Sequence, residues 1–275
     1  MSSDSVGPGA GAGAGVEKPG HLEPSELGTK QYWDNLYTSE IANHASNPAD
    51  TGTVWFDDSD AEAKMVAFLD AQAHALGLDR AAAAVLDLGC GNGSLLFALR
   101  DDGWAGTLLG VDYSEKSVAL ARRVGAARDI ACDDDNENKE KEVEFKAWDV
   151  LNGPLSDVQP TDRDGEQTGG WDLVLDKGTF DAISLSDERD ARGRRICEGY
   201  GSRVLALLRP GGVFLVTSCN WTEAELTGWF EVAASGAGAR LRRAGRIEYR
   251  SFSFGGVKGQ TISTLCFVKE EEEEA

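Results

Sequence analysis

Three glycines alternate in a loop that follows a hydrophobic segment, in the stretch VLDLGCGNGSLLFAL at 85–99. Gly89 and Gly91 flank Cys90, and Gly93 opens a helix-like segment. Glycine lets the backbone turn tightly and approach a ligand closely, and the start of a helix presents free N–H groups and the positive end of its dipole. We therefore expect Gly89, Cys90 and Gly91 to contact a bound ligand.

An acid precedes this loop, since Asp87 lies at the end of the strand-like segment 82–89. The glycines are spaced as GxGxG, whereas dinucleotide-binding loops have GxGxxG. A carboxylate at this position suits an ammonium group or a ribose better than it suits a pyrophosphate. The motif therefore favours S-adenosylmethionine, which carries an amino-acid zwitterion, over NAD. A generic strand–loop–helix turn is the alternative.

Two further acids end the next two strand-like segments. Asp112 is spaced to accept protons from both hydroxyls of a ribose, and Tyr113 beside it is either an adenine-stacking ring or an ordinary edge aromatic. Asp149 is placed to accept the amino group of an adenine, while the N–H of Val150 faces a ring nitrogen. An aspartate at such a position is also common as a turn cap.

The segment WDLVLDKG at 171–178 carries Asp176 and Lys177 near its end. Ligands of open α/β sheets bind outside the carboxyl ends of the strands, so we expect this segment to line the reaction site. Lys177 either pairs with Asp176 or Asp181, in which case its role is structural, or it faces a substrate.

Strand-like and helix-like segments alternate along most of the chain, which is typical of a parallel sheet with right-handed crossovers. Two β-like runs at the end are joined by the glycine-rich link GGVKG and predict an antiparallel hairpin. The predicted fold is therefore α/β, a doubly wound, mostly parallel seven-strand sheet with an antiparallel C-terminal hairpin. We predict strands at 82–89, 107–112, 142–150, 171–178, 213–220, 246–254 and 260–269, and helices at 93–103, 114–127, 188–212 and about 222–235.

A single domain accounts for most of the chain. Two helical segments at its start are predicted to cap the carboxyl edge of the sheet. The two ends of the chain are poor in large apolar residues, so we expect disordered tails there. Two polar stretches inside the domain predict loop insertions, which cost little in closure entropy. The predicted limits are 26–269 for the domain, 82–269 for its α/β core, 29–79 for the helical cap, 1–25 and 270–275 for the tails, and 129–142 and 156–170 for the insertions.

Charge and composition restrict the classes of function. The 275 residues carry a net charge of −20, which disfavours nucleic-acid binding because that needs Lys and Arg to neutralise phosphates. The charge suits a basic protein partner, or it only keeps the chain soluble. The five cysteines are scattered without zinc-ligand spacing, so we expect no metal and a reducing compartment. Because the sequence has neither a signal peptide nor an apolar run of about 18 residues, we expect a cytoplasmic protein without a membrane partner.

The motifs DLGCGNG, GVDYS, AWDV and LRPGG, in this order, resemble the seven-strand S-adenosylmethionine-dependent methyltransferases, which have a Rossmann-like fold. A narrower resemblance is to the protein-lysine methyltransferases that modify translation elongation factor 1-alpha. It rests on YWDNLY (32–37), VWF (54–56), LDKGTFDAISL (175–185), TSCNWTEAEL (217–226) and FSFGG (252–256). This resemblance implies S-adenosylmethionine as the cofactor, with Trp33 in its site, and methylation of a lysine ε-amino group of that factor in the cytoplasm.

The chemistry implied by the resemblance assigns roles to the substrate side. A lysine must lose a proton before methylation, because an ammonium with a pKa of about 10.4 has no lone pair. We expect Asp176, which also borders the predicted cofactor site, to orient the amine, and Phe180 with Trp221 to form an aromatic wall. Lys177 and Asp181 are expected at the substrate rim.

Other functions share many of these features. The insertions are longer than the family pattern needs, and LDKGTFD also occurs in related methyltransferases with other targets. A methyltransferase acting on a small molecule or on another protein would have the same cofactor motifs. A non-enzymatic binding module of the same fold is a third possibility, although it would be expected to have lost Asp87, the glycines or Asp112.

Overall fold

The computed structural model describes residues 19–131, 142–161, 169–231, 238–254 and 257–271. Within these ranges the chain alternates between strands and helices over most of its length, with short 3-10 turns between some of them. The helices are α1 (Lys30–Ser46), α2 (Ala61–Gln72), α3 (Ser94–Asp101), α4 (Glu115–Ala131), α5 (Thr179–Ser184), α6 (Tyr200–Leu207) and α7 (Glu223–Phe230). The strands are β1 (Val85–Leu88), β2 (Leu108–Asp112), β3 (Glu144–Ala147), β4 (Trp171–Lys177), β5 (Leu208–Ser218), β6 (Ala239–Ile247), β7 (Ser251–Phe254), β8 (Val257–Gln260) and β9 (Ser263–Glu271).

Seven of these strands form one sheet in the order β3-β2-β1-β4-β5-β9-β6. The pairs from β3 to β5 are parallel, and β9 runs antiparallel to both of its neighbours. The strand order runs outward from β1 in both directions, so the crossovers on the β2–β3 side (α3 and α4) cover one face of the sheet and the crossover to β5 (α6) covers the other. The predicted fold, doubly wound and mostly parallel with seven strands, is therefore confirmed.

Helices cover both faces of the sheet, which explains why β1 is buried along its whole length and β4 is buried at five of its seven residues. Leu173 and Leu175 of β4 pack on one face, together with apolar side chains of α2, α3 and α4. Val174, between them, packs on the other face against α6 and α7. Neighbouring residues of a strand thus belong to different layers, which decides where each side chain of β4 can reach.

The C-terminal strands differ from the prediction. The sixth strand of the sheet is β6, not the run 246–254, and β7 pairs with β8 in a separate two-stranded sheet. The antiparallel partner of β6 is β9. The basic sequence ARLRRAGRI hides a strand pattern, because Ala239 and Leu241 are buried while Arg240 and Arg242 beside them are exposed. Ion pairs with Glu270 and Glu223 neutralise much of this basic edge.

The predicted helix 188–212 is also wrong over most of its length. Only α6 and a preceding 3-10 turn are helical, and the LRPGG motif begins β5. Before them, the Asp190 carboxylate accepts hydrogen bonds from the N–H groups of Arg192 and Arg194, both at 2.9 Å. This side-chain cap fixes a tight turn at Gly193 and prevents a helix from forming there.

The two N-terminal helices lie in different places. Helix α1 packs beside α4, and Trp33 and Tyr37 on it reach the cleft at the carboxyl edge of the sheet. Helix α2 packs on α3 and on β6, in the helical layer of one face of the sheet. Capping of the carboxyl edge therefore describes α1 better than α2. None of the described helices is both long and apolar enough to cross a bilayer.

Part of the predicted tails contacts the domain. The Ser25 N–H donates to the Leu185 carbonyl at 3.0 Å, and Arg195 donates to the Leu22 carbonyl at 3.3 Å. His21 lies 3.2 Å from the Glu198 carboxylate. At the other end, Glu270 and Glu271 belong to β9. The rest of both tails (1–18 and 272–275) and most of the two predicted insertions (132–141 and 162–168) lie outside the described residues.

These contacts predict a difference between two truncations. Deletion of residues 1–25 should lower the melting temperature by about 2–6 °C more than deletion of residues 1–18, because two or three hydrogen bonds are worth about 1–2 kcal/mol together. Differential scanning calorimetry of both truncated chains and the full chain measures this difference. Equal melting temperatures would show that the segment 19–25 contributes nothing to stability.

Candidate functional site

A cleft opens at the carboxyl edge of the sheet, where β1, β2, β3 and β4 end. At or near the end of each of these strands, a charged side chain lines the cleft. The sheet order places them in a row, because β3, β2, β1 and β4 are neighbours in that sequence. Along the row lie Asp149, Asp112, Asp87 and Lys177.

The glycine loop after β1 forms one wall of the cleft. Gly89, Gly91 and Gly93 have φ values of 68°, 57° and 82°, in the left-handed region that favours glycine. A Cβ at Gly89 would overlap the Thr179 side chain, whereas a Cβ at Gly91 would enter space that only the Tyr37 ring approaches, at 3.0 Å from its hydroxyl. Gly89, Cys90 and Gly91 line the cleft, as residues of a ligand-contacting loop would.

Asp112 lines the same cleft, and hydrogen bonds from neighbouring residues fix its carboxylate. Its carboxylate accepts hydrogen bonds from the Ser114 N–H and the Ser117 hydroxyl, both at 2.8 Å, and from the Gly91 N–H at 3.4 Å. Burial raises the pKa of Asp112 to about 6, although these hydrogen bonds favour the charged form. Tyr113 next to it is exposed, with the Lys30 ammonium 5.6 Å from the centre of its ring.

The structure shows Asp149 both at the cleft and as a turn cap. It lines the cleft, and its carboxylate also caps the following turn by accepting from the N–H groups of Leu151 (2.8 Å) and Asn152 (3.3 Å). The Val150 carbonyl accepts a hydrogen bond of 2.7 Å from Arg203, which fixes this turn from below.

The structure does not bring Asp176, Phe180 or Trp221 to the cleft. Asp176 is fully buried under it, where its carboxylate accepts from the N–H groups of Thr179 (2.8 Å) and Phe180 (3.0 Å) and from the Tyr200 hydroxyl (2.5 Å). Phe180 and Trp221 are core residues, with ring centroids 6.1 Å apart. Direct contact of these three side chains with a ligand does not fit this placement. Asp176 instead fixes the start of α5.

Asp181 does reach the cleft, from the first turn of α5. It is 5% exposed, and its two oxygens accept from the Ser218 hydroxyl and from the Cys219 N–H at 2.8 Å. Burial raises its pKa above the ordinary value, and the hydrogen bonds from Ser218 and Cys219 oppose this. Asp181 is therefore a fixed acid at the β4–β5 end of the cleft.

Lys177 also lines the cleft, but its partner is neither Asp176 nor Asp181. Its ammonium lies 3.3 Å from the Glu62 carboxylate of α2 and donates to the Trp55 carbonyl at 3.1 Å. The sequence offered no means to foresee this pairing, because Glu62 lies 115 positions earlier in the chain, on a helix of a different layer.

One segment that lines the cleft received no role in the sequence analysis. Thr53, Trp55 and Phe56 line the cleft, and Phe56 has a φ of 66°, which is unusual for an aromatic residue. The family resemblance placed Trp33 in the cofactor site. The centroids of the Trp33 and Trp55 rings are 5.3 Å apart, and Trp33 Nε1 donates a hydrogen bond of 2.8 Å to the Leu27 carbonyl. The motif VWF was visible in the sequence, but its position far from the strand ends gave it no assigned role.

The charges of the cleft favour a cationic or zwitterionic ligand. Among the described residues that line it, five are acids and two are lysines. No described residue donates a hydrogen bond to the Asp87 carboxylate, which is 3% exposed. An ammonium group is the ligand chemistry that such a carboxylate fits. The described residues contain no His, Cys, Asp and Glu cluster that could hold a metal ion.

The buried Asp176 predicts a pH dependence of stability. Burial raises its pKa to about 7, so between about pH 4 and pH 7 the folded chain holds a proton that the unfolded chain has lost. Stability from this group is full below that window and is lost as the pH rises through it. The melting-temperature advantage of wild type over Asp176→Asn should therefore shrink from pH 4 to pH 8. A difference that stays constant over this range would contradict the prediction.

Comparisons with known proteins agree on one class of enzyme. Residues 79–255 match a family model described as a methyltransferase domain. Protein-lysine N-methyltransferase EFM4 of Saccharomyces cerevisiae is 40% identical over 249 residues, which cover 90% of this chain and 97% of the yeast protein. EEF1A lysine methyltransferase 2 of Homo sapiens is 31% identical over 98% of this chain and 100% of the human protein. A solved magnesium protoporphyrin IX methyltransferase of Synechocystis is 17% identical with a TM-score of 0.44, over 84% of this chain and 96% of that one.

Proposed function

The chain belongs to the family of protein-lysine methyltransferases, and from that premise we propose that it methylates a lysine of translation elongation factor 1A. The observation that carries this proposal is the near full-length similarity to a relative named as a protein-lysine N-methyltransferase, at 40% identity, and to one named as an EEF1A lysine methyltransferase, at 31%. The row of acids in the cleft supports it, because both the cofactor and a lysine substrate are cations at neutral pH. A cytoplasmic location is part of the same proposal.

The residues of the cleft fit S-adenosylmethionine as the cofactor. Asp87 would bind its ammonium group, Asp112 its ribose hydroxyls, and Asp149 with the Val150 N–H its adenine. The backbone of Gly89 and Gly91 allows close approach beside them. When bound, S-adenosylmethionine supplies an activated methyl group on a positively charged sulfur.

The lysine side of the cleft needs a group that takes a proton from the substrate. We assign this role to Asp181, because it lines the cleft and is held in one orientation by Ser218 and Cys219. Burial disfavours its charged form, which makes the carboxylate a better proton acceptor than an exposed aspartate. Trp55 and Phe56 offer aromatic faces for the apolar stem of the lysine.

The substrate is a protein, and its identity as elongation factor 1A is open to a direct test. Purified enzyme and labelled S-adenosylmethionine are incubated with the factor, with variants in which single lysines are replaced by arginine, and with tRNA. We expect label on the factor and its loss in one lysine variant. Labelling of tRNA, or label that survives removal of every accessible lysine, would refute the lysine proposal. The enzyme is also incubated with a cell lysate. Label only in the small-molecule fraction of that lysate would support the alternative, a small-molecule substrate.

A further inference from the structure

Two side chains of opposite charge stand at the ends of adjacent strands in the cleft. Asp87 belongs to β1 and Lys177 to β4, and these strands pair in parallel with Leu88 opposite Asp176. Both side chains line the cleft, and the charge of Lys177 lowers the pKa of Asp87, against burial, which raises it. The pair therefore presents one positive and one negative group at neighbouring points of the same wall.

Lys177 has hydrogen-bonding capacity that the protein does not use. An ammonium has three donors. One goes to the Trp55 carbonyl and one points to Glu62, while the side chain is only 12% exposed. Glu62 in turn accepts a hydrogen bond of 2.5 Å from the Ser94 hydroxyl, at the first residue of α3. Lys177 is thus fixed relative to the helix that follows the glycine loop.

A role toward the substrate does not suit this lysine. The substrate of the proposed reaction is itself a lysine, and a second ammonium nearby would repel it. Among the described residues that line the cleft, the other cation is Lys30, which lies beside Tyr113 at the Asp112 end. Lys177 is therefore the cation next to Asp87, where the amino-acid part of the cofactor belongs.

On the basis of the proposed function, we propose that Lys177 binds the carboxylate of the methionine part of S-adenosylmethionine while Asp87 binds its ammonium group. The two side chains together recognise the zwitterion, and Glu62 is a positioning residue that holds Lys177. The third N–H of Lys177 and the free lone pairs of Asp87 supply the hydrogen bonds.

Binding measurements with three ligands test this assignment without any turnover. S-adenosylhomocysteine carries both the carboxylate and the ammonium, its decarboxylated form carries the ammonium alone, and methylthioadenosine carries neither. Isothermal titration calorimetry of each ligand is carried out with wild type, Lys177→Met and Asp87→Asn. Because a charge-assisted hydrogen bond contributes about 1.5–3 kcal/mol, each lost contact should lower affinity by about 10- to 100-fold.

We expect Lys177→Met to weaken S-adenosylhomocysteine and to leave the other two ligands unchanged. Asp87→Asn should weaken both ligands that carry the ammonium and spare methylthioadenosine. Lys177→Met alone leaves the Glu62 carboxylate without its ion-pair partner. The double variant Lys177→Met with Glu62→Gln removes that charge, and it should show the same relative affinities for the three ligands as Lys177→Met. Lys30→Met is the matched control, because it removes the other lysine that lines the cleft. It should not change the affinity for one of the three ligands more than for the others.

An equal loss of affinity for all three ligands in Lys177→Met would overturn the assignment, since it would indicate a disturbed cleft. Equal binding of S-adenosylhomocysteine and its decarboxylated form by wild type would overturn it as well. Failure of wild type to bind S-adenosylhomocysteine at all would instead count against the proposed function.

Discussion

Replacing Asp181 by asparagine is expected to lower the rate of methyl transfer by about 100-fold or more, which is the range of one acid–base group. Asparagine has one acceptor oxygen in place of two, so it can keep one of the contacts to Ser218 and Cys219, but it cannot take a proton from the substrate ammonium. The affinity for S-adenosylhomocysteine should stay nearly unchanged, because other side chains make the proposed cofactor contacts. Single-turnover assays at saturating cofactor measure the rate, and calorimetry measures the affinity.

The pH profile distinguishes this role from a structural one. In the wild type, the rate should fall at low pH as Asp181 becomes protonated, at a pKa that burial raises above the ordinary value. In Asp181→Asn that loss should disappear, and the rate should rise with pH toward the lysine pKa of about 10.4. Asp190→Asn is the matched control, since this half-buried carboxylate also accepts backbone hydrogen bonds but does not line the cleft. Unchanged turnover in Asp181→Asn would remove it from the mechanism.

The choice between Asp176 and Asp181 shows what the sequence could and could not supply. Asp176 lies near the end of β4 and Asp181 lies four residues after that end, so the rule that ligands bind at strand ends applies to both. The period of two along β4 puts Asp176 on the side of Val174 and Lys177 on the side of Leu175, so the strand pattern already separates the two charged residues. The turn at Gly178, with a φ of 94°, then aims Asp181 into the cleft, and that geometry is not visible in residue types.

The proposed cofactor side of the cleft was easier to predict because each of its acids lies close to the end of its own strand. Asp87 lies in β1, Asp112 ends β2 and Asp149 follows β3, and all three line the cleft. Contacts between distant segments had no such signal. Trp55 meets Lys177 across 122 positions, and their hydrogen bond depends on how α1, α2 and the sheet pack. The edge strand β6 was missed for a different reason, because its four arginines masked the alternation of its buried residues.

Replacing Gly91 by alanine is expected to lower the affinity for S-adenosylhomocysteine by about tenfold or more. Two effects add. The φ of 57° at position 91 is unfavourable for any residue with a Cβ. A change of this φ would move the N–H of residue 91, which donates a hydrogen bond to the Asp112 carboxylate. The new Cβ would also stand 3.0 Å from the Tyr37 hydroxyl, at the wall of the cleft.

Two further variants separate these effects. Gly77→Ala places the same Cβ at a similar φ of 66° with nothing within 4 Å, so it should cost about 1–2 kcal/mol of stability and leave ligand affinity unchanged. Tyr37→Phe removes the hydroxyl that the Gly91→Ala Cβ would approach, so the double variant should regain the part of the affinity that the close contact costs. Calorimetric titration and thermal unfolding of the wild type and the four variants measure both quantities. Wild-type affinity in Gly91→Ala would mean that the cofactor does not approach this loop, because a methyl group in its path and a displaced N–H cannot both be without effect.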